Sequence, residues 1–235
     1  MKALRQKFAL LAVSGALVTL VGCGGGNNNS YLNVTGVAAT GLAIDGGAVT
    51  VQCVSGSGTA TTIGNGAYAV TVVNGEGPCL ITVTKGDLTL RSITPKTTTG
   101  SAVANVTPIS DAIIQGLIAA KGDVNFSDLV TNPALIPTNE QLADAVTAVI
   151  TQINTALVNL GKDPLPEGTD LLSKPNFVAA TTDTPSTDPL DLALDFLVPD
   201  GSTTLSSDLI TSITQTVNEV VPETNTPTGG TGSGT

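Results

Sequence analysis

The chain has 235 residues, of which 12% are charged, and its nine Lys and Arg against 19 Asp and Glu give a net charge of −10 at pH 7. Such an acidic surface repels phosphate backbones, so nucleic acid is not an expected partner. Histidine is absent, which excludes Ser-His-Asp and Cys-His catalysis and removes the usual ligand of zinc and copper. Catalysis by a Ser-Lys pair or by paired carboxylates stays open.

The first part of the chain, residues 1–22, has the pattern of a bacterial signal peptide. Lys2, Arg5 and Lys7 form a basic start, and residues 8–21 are an uncharged, mostly apolar run of 14 residues. A membrane-spanning helix needs about 20 apolar residues, so this run suits the apolar core of a signal peptide better. The alternative is an ordinary secretory signal followed by an incidental cysteine, but no cleavage site of the Ala-x-Ala type fits well nearby.

The sequence Leu-Val-Gly-Cys at residues 20–23 resembles the lipobox of bacterial lipoproteins. The resemblance implies that residues 1–22 are removed and that Cys23, carrying diacylglycerol on its sulfur, becomes the first residue of the mature protein. It also implies two or three acyl chains, palmitate among them, which is enough for firm membrane attachment. Residues 23–30 are predicted to be a lipidated, flexible tether. Gly24 in place of aspartate favours the outer membrane, facing the periplasm or the cell surface.

Residues 31–106 alternate short β-prone runs with glycine-rich turns, the spacing typical of an all-β sandwich. Six strands are predicted, with room for a seventh: they lie near residues 34–37, 48–54, 59–63, 68–72, 80–84 and 88–93. Period-two spacing places Val49, Val51 and Cys53 on one face of the second of these strands. Asn65-Gly66 is a hairpin turn signal.

Residues 33–95 resemble the carboxypeptidase regulatory-like domain. The similar features are Gly-Ala-Val-Thr-Val at 47–51, Thr-Thr-x-Gly-Asn-Gly-x-Tyr at 61–68 and Ile-Thr-Val at 81–83. The resemblance implies a transthyretin-like (prealbumin-like) antiparallel β-sandwich. This domain is usually an accessory module and no zinc peptidase domain accompanies it here, so its name implies no activity. The wider layout is similar to uncharacterised lipoproteins of proteobacteria.

Cys53 and Cys79 are the two cysteines that remain after lipidation of Cys23. An even pair of cysteines in an exported chain predicts a disulfide bond. That bond would join two strands of the predicted sandwich. Two free buried thiols are the alternative, and a redox role is disfavoured because the chain has no Cys-x-x-Cys motif.

Residues 107–221 are predicted to form an α-helical subdomain, because the apolar pattern changes to a helical period at Thr107. Thr107-Pro108 is an N-cap followed by proline at the first helical position, and this helix is predicted to end by Gly122. We expect the helices to pack on one another or against one sheet of the sandwich; contact of their apolar stripes with a partner is the alternative. The predicted fold class is therefore α+β.

The longest helix is predicted to begin with a capping box at Thr138 and to stop at Gly161. Its apolar stripe consists of Leu142, Val146, Val149, Ile150, Ile153 and Leu157. Residues 188–198 and 206–221 are two further candidates, and the second of these also suits a strand because of its Thr and Val content. The Pro-, Gly- and Thr-rich residues 222–235 are predicted to be disordered.

Asp188, Asp191 and Asp195 share one face of the predicted helix at 188–198. Such a cluster could hold calcium or act in catalysis. However, the opposite face is apolar, and it consists of Leu190, Ala193, Leu194 and Leu197. This pattern favours a solvated face for the three aspartates, and aspartate near a helix start is favoured by the helix dipole.

Two other groups of candidate ligands are weaker. Asp45, next to two glycines, is typical of a turn residue. Asp123-x-Asn125-x-Ser127 resembles half of a calcium-binding loop, but the central glycine is missing and Ala134 stands where the bidentate glutamate is required. No catalytic, cofactor-binding or metal-binding residue is therefore predicted.

These features predict a non-catalytic cell-envelope lipoprotein that acts as a binding or structural module on a membrane-anchored tether. The expected partners are the membrane, through the lipid on Cys23, and an envelope protein or a glycan. One alternative is a carboxylate-dependent envelope enzyme that acts on polysaccharide. Another is a surface adhesin.

Overall fold

The computed structural model describes residues 30–96, 100–122, 124–132 and 135–221, where seven strands precede five helices in a mixed α+β chain. The strands are β1 (Tyr31–Val37), β2 (Ala48–Ser55), β3 (Ser57–Thr61), β4 (Ala67–Val73), β5 (Glu76–Lys85), β6 (Leu88–Ile93) and β7 (Gly100–Val103). The helices are α1 (Pro108–Ala119), α2 (Phe126–Thr131), α3 (Asn139–Asn159), α4 (Pro189–Leu197) and α5 (Ser207–Val220). The predicted signal peptide, Cys23, the tether up to residue 29 and the tail at 222–235 lie outside the described residues.

The strands form two sheets. One is antiparallel and has the order β3-β2-β5-β6; the other has the order β4-β1-β7, with β7 parallel to β1. All six strands predicted from the sequence are present. β3 begins and ends two residues earlier than predicted, because Gly56, with a φ of +79°, makes the turn from β2 at that point. β7 is short and contains glycine and serine, so its pairing with β1, rather than its own β propensity, makes it a strand.

Alternate side chains of the two sheets meet in one buried apolar cluster. In β2, Val49, Val51 and Cys53 are buried, as the period-two pattern predicts. Tyr68 of β4 lies in the same cluster, and its hydroxyl donates a hydrogen bond to the Ala104 carbonyl oxygen. Apolar burial therefore holds the two sheets together, and the one buried phenol in this cluster has the polar partner that it requires.

Cys53 of β2 and Cys79 of β5 lie directly opposite each other and form a disulfide bond, which confirms the predicted pairing. Both residues are buried in the cluster between the sheets. The bond joins neighbouring strands of one sheet, next to an irregularity in pairing between Cys53 and Ser55. It therefore reinforces the β2–β5 pairing where the ladder is interrupted.

Side-chain caps begin two helices where the sequence predicts them. Thr107 caps α1: its side chain accepts a hydrogen bond from the Ser110 N–H, and the Ser110 hydroxyl oxygen accepts one from the Thr107 N–H. Thr138 and Gln141 form the same reciprocal pair at the start of α3. Gly161, with a φ of +69°, follows the end of α3 as predicted. These caps satisfy backbone donors that the helices leave unpaired.

The region at 206–221, which suited both helix and strand, is helix α5. Ser206 caps it, and Ile213 and Val217, which lie four residues apart, are fully buried. Burial of this apolar face outweighs the β propensity of its Thr and Val residues. The short helix α2 was not predicted; it begins at Asn125, whose side chain caps it.

The helices form a second buried cluster that reaches the four-stranded sheet. Leu80 of β5 and Ile93 of β6 belong to this cluster. Helices α1 and α5 cross closely at Gly116, where an added Cβ would lie 2.6 Å from the Cβ of Val217. This contact requires glycine inside α1, although glycine costs a helix about 1 kcal/mol relative to alanine. The helices thus pack both on one another and on one sheet.

Replacing Cys53 and Cys79 together by alanine should lower the free energy of unfolding by about 3 kcal/mol, because the disulfide restricts the unfolded chain. Urea unfolding of the variant and the oxidised protein measures this loss. Thr50 and Thr82 form a neighbouring, uncrosslinked pair on the same strands, so the double variant Thr50→Ala/Thr82→Ala is a matched control. We expect the control to lose about 1 kcal/mol. A cysteine variant that loses no more than the control would contradict this role for the disulfide.

Candidate functional site

Asp188, Asp191 and Asp195 of α4 and its N-cap do not share a solvated face, so the prediction from the sequence is wrong. Asp191 is fully buried, Asp188 is 9% exposed and Asp195 is exposed. The reason is that the chain preceding α4 folds back over this side of the helix, which the periodicity of α4 itself does not reveal. The charge of Asp188 is matched by Lys174, whose Nζ lies 2.5 Å from Asp188 Oδ1.

The two buried aspartates bind backbone N–H groups of that preceding chain. Asp188 Oδ1 caps α4 by accepting a hydrogen bond from the Leu190 N–H at 2.9 Å, and Asp188 Oδ2 accepts one from the Val178 N–H at 3.3 Å. Asp191 Oδ2 accepts a hydrogen bond from the Ala180 N–H at 3.1 Å. Both carboxylates therefore satisfy backbone donors that would otherwise be buried without partners.

Asp191 is incompletely satisfied. Its Oδ1 is buried and has no hydrogen-bond partner within the described part of the chain. The pKa of the Asp191 carboxyl is raised to about 6: burial is the main cause, the Ala180 N–H opposes it, and the negative charges of Asp195 and Asp188 add to it. Burial also raises the pKa of Asp195. The Asp191 carboxyl therefore titrates in mildly acidic solution.

The weaker candidate ligands have local structural roles. Asp45 lies in the turn before β2, as predicted. Asn125, from the incomplete calcium loop, caps α2 by accepting a hydrogen bond from the Ser127 N–H at 3.0 Å, whereas Asp123 and Ala134 lie outside the described residues. Over the described ranges, no group of three or more His, Cys, Asp or Glu residues is arranged to hold a metal ion.

A cavity of about 690 Å³ lies along α3, and we refer to it as the α3 groove. Its floor is formed by Leu142, Val146 and Ile150, which follow one another at four-residue intervals on α3. The facing wall comes from the irregular chain after α3 and includes Leu165 and Leu172. The α3 residues that line the groove lie between positions 139 and 154, which corresponds to about 22 Å at 1.5 Å per residue. The groove is therefore elongated and has an apolar floor.

The two edges of the α3 groove differ in chemistry. On α3, Thr147 and Thr151 line the groove, and their hydroxyl groups donate to the carbonyl oxygens of Ala143 at 2.9 Å and Thr147 at 3.3 Å. These hydroxyl protons are satisfied within the helix, so this edge presents methyl groups and acceptor oxygens. Glu167 and Asp170 lie on the facing edge, and no Lys or Arg lines the groove among the described residues.

Side-chain amides hold the facing wall of the groove in place. Asn154 of α3 accepts a hydrogen bond from the Leu165 N–H at 2.8 Å. Asn105, which is 1% exposed, donates from its backbone N–H to the Leu172 carbonyl oxygen at 2.6 Å and from Nδ2 to the Lys174 carbonyl oxygen at 2.9 Å. Because these bonds tie the wall to α3 and to the junction before α1, the groove is preformed, as binding sites usually are.

Two smaller cavities, of about 590 and 420 Å³, adjoin the C-terminal end of α3. The 420 Å³ cavity shares Pro164, Leu165 and Pro166 with the α3 groove, and Phe196 lines both smaller cavities. The Nζ of Lys162 lies 4.1 Å from the centre of the Phe196 ring. The three cavities therefore lie next to one another around this end of α3, and their linings are largely apolar.

The sequence pattern predicts the apolar stripe of α3 and favours a core role for it over contact with a partner. In the structure Val149, Ile153 and Leu157 are buried in the core, Leu142 is buried but also lines the groove, and Val146 and Ile150 are half-buried and line the groove. One sequence signal for the groove is the width of the apolar stripe. Val146 and Ile150 widen it, and each precedes a threonine that is exposed in the structure. A second signal is Pro164-Leu165-Pro166, an apolar run just after α3 that lies on the facing wall.

No family model matches this chain, and no curated protein or solved structure is significantly similar to it. The resemblance of residues 33–95 to the carboxypeptidase regulatory-like domain therefore stays a prediction. None of the helices in the described part of the chain is both long enough and apolar enough to span a bilayer.

The buried Asp191 gives a pH-dependent prediction for Asp191→Asn. At a pH well below 4 both the folded and the unfolded wild-type chain hold the Asp191 proton, because the ordinary pKa of an aspartate is about 3.9. As the pH rises from about 4 to about 6, the unfolded chain ionises first, so the wild-type protein loses stability and the neutral variant does not. The variant should therefore gain about 1 to 3 kcal/mol relative to wild type over this interval and no more above pH 7.

Urea unfolding of both proteins at pH 4.5, 6 and 7.5 measures this difference. Asp87→Asn, in the exposed turn between β5 and β6, is the control; it keeps Asp191, so its stability should change with pH as that of wild type does. A difference between Asp191→Asn and wild type that stays constant across the three pH values would show that Asp191 is not the titrating group.

Proposed function

We propose that this protein is a non-catalytic lipoprotein of the cell envelope, in which a binding module is held at a membrane by acyl chains on Cys23. The preformed, apolar α3 groove is the observation that carries the binding function, because concave apolar sites with a few polar groups at their edges are typical of ligand sites. We further propose that the two sheets are a prealbumin-like sandwich. In this proposal the sheets serve as the scaffold on which the helices present the groove.

Two features support the proposed location. The lipobox-like sequence at residues 20–23 follows a basic and then an apolar segment. The Cys53–Cys79 disulfide suits an oxidising compartment outside the cytoplasm. Gly24 after the cysteine favours the outer membrane, on its periplasmic face or at the cell surface.

An envelope protein is the proposed partner in preference to a glycan. Among the described residues, none that lines the α3 groove has an aromatic side chain on which a sugar ring could stack. The net charge of −10 disfavours nucleic acid. A protein segment with apolar side chains matches the apolar floor.

The alternative function, a carboxylate-dependent enzyme acting on polysaccharide, requires two available acidic groups at a suitable separation. Glu167 and Asp170 both line the groove. However, the carboxylate of Asp170 accepts hydrogen bonds from the Leu172 N–H and from the N–H and hydroxyl of Ser173. Asp170 is thus engaged in the fold of the wall, which favours binding over catalysis.

Cys23→Ser should give an uncleaved precursor without lipid, because lipidation requires the thiol of Cys23. Metabolic labelling with palmitate and fractionation of the cell envelope measure both effects. Asn27→Ser, in the same segment, is the matched control and should be labelled and processed as wild type. Normal processing and palmitate labelling of Cys23→Ser would refute the proposed anchor.

The binding function is tested by crosslinking in intact cells, with Thr147→Trp to fill the α3 groove. We expect one crosslinked partner to be recovered with wild type and lost with this variant. Thr211→Trp is the control, since Thr211 is an exposed threonine of α5 that also donates its hydroxyl to the carbonyl oxygen four residues earlier. A crosslinking pattern that is the same for all three proteins would count against the groove as the binding site.

A further inference from the structure

We infer that the α3 groove binds a peptide segment of a partner protein in which apolar side chains are interspersed with lysine or arginine. The inference rests on the proposed binding function and deepens it by naming the class of ligand. Three observations carry it: the apolar floor, the small side chains on one edge and the acidic groups on the other.

The length and floor of the groove match an extended peptide. The lining residues of α3 span about 22 Å, the length of about seven extended residues at 3.3 Å each. Leu142, Val146 and Ile150 recur along this floor about every 6 Å, which is also the spacing of alternate side chains on an extended chain. Every second side chain of the ligand would therefore contact the floor.

One edge allows the main chain of a ligand to approach closely. Ala143, Thr147 and Thr151 line it, and all three side chains are small and exposed. The acceptor oxygens of the threonines face a ligand that carries N–H donors. A peptide supplies such donors along its whole length, whereas an acyl chain supplies none.

The charges around the groove favour a basic ligand. Glu167 and Asp170 lie on the facing edge, and no basic side chain lines the groove within the described ranges. Three basic groups elsewhere are engaged: Lys174 with Asp188, Arg91 with Asp111, and Lys162 over a phenyl ring. Lys96 lies at the Asn139 end of the groove, where its backbone N–H donates to Asn139 Oδ1 at 2.7 Å, whereas the acidic edge is on the facing wall. The whole chain is also acidic, with a net charge of −10. This field attracts lysine and arginine, and it repels the anionic head group of a fatty acid or phospholipid.

The facing wall is tied to the rest of the fold by hydrogen bonds. The Leu165 N–H donates to Asn154 Oδ1, and the Asn105 N–H donates to the Leu172 carbonyl oxygen. A preformed wall avoids the ordering cost of closing a loop over the peptide. A wall tied in this way also restricts the groove to side chains that fit between α3 and the wall.

The test measures fluorescence anisotropy with the full-length protein in nanodiscs of neutral phosphatidylcholine. The four labelled peptides have about seven residues and alternate Leu with Lys, Leu with Gln, Leu with Glu, or Ser with Lys. The Leu/Lys peptide should bind at least tenfold more tightly than each of the others, because it alone matches both the floor and the charge. Its affinity should fall as salt is added, since exposed charges are screened.

Variants locate the site. Thr147→Trp should weaken binding of the Leu/Lys peptide at least tenfold, whereas the control Thr211→Trp should stay within about twofold. Glu167→Lys should weaken the Leu/Lys peptide and strengthen the Leu/Glu peptide. Thr147, Thr211 and Glu167 are exposed, and thermal unfolding of each variant checks that it retains the wild-type fold.

Four outcomes would overturn the inference. Equal binding of the Leu/Lys and Ser/Lys peptides would show that net charge alone attracts the ligand. Equal binding of the Leu/Lys and Leu/Gln peptides, with displacement by a fatty acid, would assign the groove to an acyl chain. Self-association that disappears in Thr147→Trp would assign it to a second copy of the chain. Unchanged peptide affinity in Thr147→Trp would place the ligand elsewhere.

Failure of this inference and failure of the proposed function can be told apart. If the peptides do not bind selectively while crosslinking in cells still depends on Thr147, the groove binds a partner of different chemistry. If both fail while Cys23 is still lipidated, the groove has no binding role and only the anchor remains.

Discussion

Residues 160–188 form neither helix nor strand, and the rest of the helical region depends on how their backbone groups find partners. A segment without a regular hydrogen-bond ladder has to satisfy buried N–H and C=O groups by other means. Here side chains do so: Asn154 and Asn105 bind its first half, and Asp188 and Asp191 bind its second half. The Ala43 N–H also donates to the Ala180 carbonyl oxygen at 2.8 Å, which links the segment to the β region.

This constraint explains both the groove and the buried aspartates. The first half of the segment, once fixed, is the facing wall of the α3 groove. The second half covers the aspartate side of α4, and its N–H groups require acceptors there. Asp188 is neutralised by Lys174, whereas Asp191 accepts one hydrogen bond and leaves one oxygen without a partner. The incomplete satisfaction of Asp191 is thus a consequence of holding the segment against α4.

The features that the sequence predicts correctly are local. The caps at Thr107 and Thr138 and the stop at Gly161 depend on residues within one turn of the helix. The alternation in β2 likewise needs no knowledge of a partner strand. The features that it misses depend on distant contacts. Asp191 is buried by residues about ten positions away along an irregular chain, and β7 is a strand because it pairs with β1. The groove is also a feature that depends on distant contacts, because the irregular chain that forms its facing wall has no periodic apolar pattern from which it could be predicted.

The proposed lipid anchor would determine how close the acidic groove lies to the membrane surface. A tether from Cys23 to Ser30 spans at most about 25 Å when fully extended, so the folded part would remain close to the membrane surface. An acidic module that is held so close to anionic lipid is repelled by it. Basic segments of other membrane-associated proteins are attracted to the same surface and are concentrated there. In the proposed arrangement, a short tether would thus raise the local concentration of the basic ligand that the α3 groove would recognise, and the acidic charge of the chain would keep the groove free of the lipid itself.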